Sequence, residues 1–216
     1  MAKANQQRIS SQVRRILNEE LGSHAQAHIR HTILAESDQK RSRSRLGEHD
    51  LDRYRVLESM PTYALTIAEG ARSGLKDPER NGFVLLIQWS SGLLGKVEIH
   101  EKQGQLALTR VSSGALALQL ERLIRRMRGR SGRQSKSAAE IRVFSVPGIH
   151  LLCLWKHWLK NPSRDSLTPI MRNFIGLRSG QVYSRSHVNA VVGRAATEVI
   201  IAWYERQQAG KWAPTK

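Results

Sequence analysis

At 216 residues with 40% apolar side chains, the chain is long enough to bury a core, which excludes disorder throughout. A formal net charge of +17 points to a polyanionic partner, with nucleic acid the commonest choice ahead of an anionic membrane surface or an acidic protein. The single cysteine, Cys153, excludes an intrachain disulfide and fits a reducing compartment; with no apolar leader and no run of about 18 apolar residues, the expectation is a cytoplasmic protein without a membrane span.

In chain order, residues 2–34 favour helix. Ile9, Val13, Ile16, Leu17 and Leu21 share one face, and Arg8, Arg14 and Arg15 lie elsewhere. Gly22-Ser23 breaks the pattern before a second, weakly amphipathic helix that carries His24, His28 and His31. Residues 1–37 therefore read as a helical N-terminal arm able to dock a protein partner, and residues 38–52, DQKRSRSRLGEHDLD, as a solvated basic linker. Beyond it the period turns from helical to alternating. Strands are expected at residues 63–68, 83–89, 94–100 and 105–111, with 69–82 (EGARSGLKDPERNG) an exposed loop presenting Arg72, Lys76 and Arg80. In the resulting meander Val97 and Ile99 share one face and Lys96, Glu98 and His100 the wet one; Leu106, Leu108 and Arg110 alternate against Ala107, Thr109 and Val111.

Residues 116–136, LALQLERLIRRMRGRSGRQSK, organise the rest. Leu116, Leu120, Leu123, Ile124 and Met127 form the apolar stripe of a helix that should cover the sheet, while Arg122, Arg125, Arg126 and Arg128 crowd its other face. Arg130, Arg133 and Lys136 continue into an exposed basic loop, 129–139. A strand at 141–146, a turn at Pro147-Gly148, an apolar run at 149–159 starting as strand, and a short edge segment at 167–170 follow. Ser184 or Ser186 caps a final helix with Val188, Val191, Val192, Ala195, Ala196, Val199, Ile200 and Trp203 at helical spacing. The expected fold is thus α+β: a helical N-terminal arm, a core domain over residues 53–206 built on a mainly antiparallel β-sheet covered by helices, a C-terminal helix, and a basic tail, 207–216.

The chemistry that composition supports is phosphate binding, because guanidinium forks match phosphate oxygens and each contact releases counterions. The candidate contacts are Arg122, Arg125, Arg126, Arg128, Arg130, Arg133 and Lys136, with Arg41, Arg43 and Arg45 as a second set. Helix-turn-helix reading is disfavoured, since the second N-terminal helix has histidines where base-reading side chains belong. Trp89, Trp155, Trp158 and Trp203 sit in apolar patterns as core, leaving Trp212 to stack.

Glu20, His24, His28 and His31 line one helical stripe, but one helix rarely completes a metal site, and neither a metal nor a cofactor is expected. Cys153 between His150 and His157 reads as a buried thiol rather than a nucleophile. The expected function is non-enzymatic DNA or RNA binding through phosphates. An interaction subunit of a bacterial multiprotein assembly is the first alternative, and a metal-dependent nuclease using Glu98, His100 or Glu101 the second.

Overall fold

The computed structural model describes residues 54–73, 75, 78–90, 92–129 and 139–211, preceded by the helical positions 13, 15–17, 19 and 21. The 38–52 linker and residues 22–37 of the expected arm lie outside the described residues. Two compact units emerge, Met1–Pro61 with Asn81–Arg122, and Thr62–Arg80 with Leu123–Lys216.

The first unit holds β3 (Leu94–Lys102), β4 (Gln105–Ser113) and most of β1 (Tyr54–Ala64) and of β2 (Glu79–Trp89), in the order β4-β3-β2-β1. β2 is buried continuously from Gly82 to Ile87, as a strand covered on both faces must be. Phe83, Leu85, Ile87 and Trp89 on one of its faces join Val97, Ile99, Leu108 and Val111 in a single cluster. Val13, Ile16, Leu17 and Leu21 complete that cluster, so the first predicted helix, not the 116–128 segment, covers this face. Gly95 lets the Trp89 indole pack against β3, because a Cβ there would come within 2.3 Å of the ring.

Three sequence expectations change here. β1 begins at Tyr54 rather than residue 63. A β-bulge between Glu98 and Ile99 pairs Glu98 with Arg110 and Ile99 with Leu108, leaving Thr109 over as an extra residue. Leu108 and Val111 are therefore both buried, where strict alternation put them on opposite faces. Lys96 is buried rather than wet, its ammonium paired with the Glu98 carboxylate.

The second unit carries the last residues of β1, then β5 (Ala139–Val146), β6 (Leu151–Trp158), β7 (Ser166–Pro169) and β8 (Tyr183–Ser184), ordered β1-β5-β6-β7-β8. β1 runs parallel to β5, Thr62 opposite Val143, and the remaining pairs are antiparallel. The 149–159 run resolves into a 3-10 turn, Pro147–Ile149, followed by strand. Pro169 pairs with Cys153 on β6, but β8 stops opposite Ser166 and Leu167, so the side of Pro169 away from β6 has no strand to serve.

Part of the expected 69–82 loop is helix. Thr66 and Glu69 form a capping box: the Thr66 amide donates to Glu69 Oε2 at 2.7 Å and the Glu69 amide to Thr66 Oγ1 at 3.2 Å, starting α1 (Ile67–Ser73). α1 packs on the C-terminal helix α3 (Arg185–Lys211), with Gly70 against Val192 and Ala196. Ser184 is the cap of α3, its Oγ accepting the His187 amide at 3.2 Å. Val188, Val192 and Ala196 are fully buried, yet Ile201, Trp203 and Tyr204 are more than half exposed, so the apolar stripe of α3 is covered only over its first half. Among the described residues no helix is long and apolar enough to cross a membrane.

Candidate functional site

The arginine-rich helix, α2 (Ala115–Arg128), is amphipathic as its spacing predicts. Ala117, Leu120, Leu123 and Ile124 are buried, while Arg122, Arg125, Arg126 and Arg128 are exposed. The concentration of cations in its last turn matches the negative end of the helix dipole. Gly129, at φ +78, closes the helix with its amide on the Arg126 carbonyl at 3.2 Å.

Two contacts seat this basic end in the second unit. The Lys156 ammonium on β6 donates to the Met127 carbonyl at 2.9 Å, and Arg126 Nη1 donates to the Gly180 carbonyl at 3.4 Å. Lys156 therefore supplies a cap for the helix and brings a further charge beside the arginines. Its neighbour Trp158 is half-buried rather than core, with the Lys156 ammonium 5.0 Å and the Arg164 guanidinium 4.4 Å from its ring. Ala139, the first described residue after 130–138, is the strand partner of Trp158. Both ends of that arginine-bearing segment, Gly129 and Ala139, are thus rooted beside the Lys156, Trp158 and Arg164 group. Arg130, Arg133 and Lys136 themselves, like Arg41, Arg43 and Arg45, lie outside the described residues.

Lys156, Arg164 and Trp158 were missed by sequence reasoning. A signal existed: the run KHWLK places Lys156, Trp158 and Lys160 two residues apart, which on a strand is one face with a ring between two cations.

Other candidates resolve into structural roles. The Asp165 carboxylate is wholly buried and accepts from Trp155 Nε1, His157 Nδ1 and the Trp158 amide, each at 2.9 Å, with Arg185 Nη1 at 3.6 Å. Arg185 also donates to the Leu75 carbonyl at 2.8 Å. This arrangement joins β6, β7 and the start of α3, and its protons and lone pairs are committed to that task. Arg142 is likewise an internal cation, paired with Glu140 at 2.7 Å and lying over the rings of Tyr63 and Trp155.

Cys153 is fully buried, and burial pushes its thiol up to about 12. Neither flanking histidine serves it: His157 is held by Asp165, and the His150 ring lies against Phe174. Glu98 is paired with Lys96, His100 is exposed, and among the described residues no group of three or more His, Cys, Asp or Glu side chains could hold a metal ion. Glu20, His24, His28 and His31 lie outside the described residues. Trp203 is 56% exposed, against the expectation of a core position. Compared with known proteins, the chain matches no protein-family model, no curated protein and no solved structure.

Proposed function

We propose that the protein binds nucleic acid chiefly through phosphate contacts and is a binding protein rather than an enzyme. The observation that carries this reading is the concentration of exposed Arg122, Arg125, Arg126 and Arg128 on α2, with Lys156 and Arg164 beside Gly129 and Ala139, the residues that flank the arginine-bearing sequence 130–138. A strip of guanidinium groups on a packed helix suits successive phosphates better than one small ligand. A net charge of +17 adds the long-range attraction. Arg130, Arg133, Lys136, Arg41, Arg43 and Arg45 extend the proposed contact set, and a cytoplasmic setting agrees with a nucleic-acid partner and a single buried thiol.

The test is a salt titration of binding to a labelled oligonucleotide. Replacing Arg122, Arg125, Arg126 and Arg128 by glutamine should weaken binding alike for unrelated sequences and reduce the slope of log K against log salt by about 3 to 4 on a duplex. An unchanged slope sinks the assignment.

A second reading, a subunit of a larger assembly, has one observation in its favour. The outer half of α3 exposes Ile201, Trp203 and Tyr204, whereas the described apolar residues of the N-terminal helix are already occupied by the first unit's own core. A protein that co-purifies in stoichiometric amount after nuclease treatment, and is lost on Trp203→Ala, would favour that role.

A further inference from the structure

The connection between β7 and β8, residues 170–182, carries the most exposed large apolar side chain among the described residues, Phe174, at 85%. Its surroundings are built rather than loose. Asn173 clamps the turn through both ends of its amide, Nδ2 donating to the Leu177 carbonyl at 2.8 Å and Oδ1 accepting the Leu177 amide at 3.1 Å. Ser179 Oγ donates to the Ile170 carbonyl and the Gly180 amide to the Pro169 carbonyl, each at 2.8 Å, closing the neck. The Arg178 amide donates to the Tyr183 hydroxyl at 2.9 Å. Ile170 and Leu177 are buried beneath. The segment is thus fixed by its own hydrogen bonds and two apolar anchors, and it presents a ring to solvent with the exposed Arg172 and Arg178 on either side in sequence.

The site already described reaches the same place. Arg126 of α2 donates to Gly180 in the neck, so the arginine strip and the Phe174 turn are joined by a hydrogen bond. Phe174 stands at the Leu151 end of β6, its ring 5.2 Å from that of His150, and Trp158 with Lys156 and Arg164 stands at the other end. The eight residues of β6 separate them by about 26 Å at roughly 3.3 Å per residue, room for a run of several nucleotides.

Resting on the phosphate-binding reading above, we infer that the partner is single-stranded nucleic acid and that Phe174 stacks on one of its bases. A duplex hides the faces of its bases inside its own stack, whereas an unpaired strand offers them. A preorganised exposed ring beside arginines is the element that sequence-tolerant single-strand binding requires, and arginines alone do not supply it.

The experiment uses the full chain and four probes: a labelled 20-mer single strand, a duplex of the same length, an abasic phosphodiester strand, and phosphatidylserine vesicles. Phe174→Ala should weaken binding to the single strand by about five- to a hundredfold, the range of one base–aromatic stack. Binding to the duplex, binding to the abasic strand and the salt slope should stay as they are, and Phe174→Tyr should restore the loss. Since Phe174 is 85% exposed, the unfolding midpoint should not move. Single-strand binding that is indifferent to Phe174→Ala but lost in Arg125→Gln/Arg128→Gln would overturn the stacking role and leave the phosphate reading standing. An equal loss on single strand and duplex would overturn it in favour of a wedge between paired bases. Binding to the vesicles alone, dependent on Phe174, would overturn both.

Discussion

Asp165 gathers polar groups from several elements of the second unit. Its wholly buried carboxylate satisfies Trp155 Nε1, His157 Nδ1 and the Trp158 amide and faces Arg185. Removing one member of such a group strands the others, so Asp165→Ala should lower unfolding free energy by about 3 kcal/mol or more in urea. A loss under about 1 kcal/mol would show that water takes over the orphaned donors. Cys153 makes a prediction of a different kind. Its ordinary value of 9.0 is raised to about 12 by burial, so between those values the folded chain keeps a proton that the unfolded chain has released. Stability must then fall as pH rises above about 9, and a Cys153→Ala variant should lose stability less steeply from pH 8 to pH 10. The native thiol should also resist alkylation at pH 8 until the protein is unfolded.

At the scale of elements, the capping box of α1 carries a prediction in the opposite direction of pH. The Glu69 carboxyl is held below its ordinary 4.5, first by the Thr66 amide and then by the Thr66 hydroxyl. Its contribution is present at neutral pH and lost as pH falls through and below that value, and Glu69→Gln should remove the dependence. Gly95→Ala, forced against the Trp89 ring, should destabilise the first unit by about 1 to 3 kcal/mol, read as a lower urea midpoint. These two elements also mark what the sequence disclosed. The β2–β4 meander, the amphipathic α2 and the Ser184-capped α3 were legible because period and cap are local signals. α1 was missed because its turn-rich composition masked the Thr66–Glu69 box, which was there to be read. The bulge at Thr109 leaves no local mark and emerges from pairing with β3. Trp158 and Trp203 looked like core because apolar spacing says which face a residue occupies, not whether anything covers it. The arginines of α2 were visible from composition; their association with Lys156, Arg164 and Gly180 depends on contacts up to 54 residues apart.

For the whole molecule, charge sets the behaviour. With a net +17 and no bound polyanion, self-repulsion should make thermal stability rise with added salt from low ionic strength. A bound oligonucleotide should stabilise the chain instead, by about 2.7 kcal/mol at a hundredfold excess over Kd, with the benefit shrinking as salt increases. Opposite salt trends for free and loaded protein would be the signature; parallel trends would argue against binding of the folded state. The path of β1 bears on synthesis. Its early residues belong with strands that follow directly, but Thr62, Tyr63 and Ala64 pair with Val143, Phe144 and Ser145. On a ribosome adding about 5 to 20 residues per second, that partner arrives some 4 to 16 s later, about 80 residues downstream. The first unit can therefore assemble while the tail of its own strand still waits, an unpaired edge that a nascent chain must keep from other chains until β5 emerges.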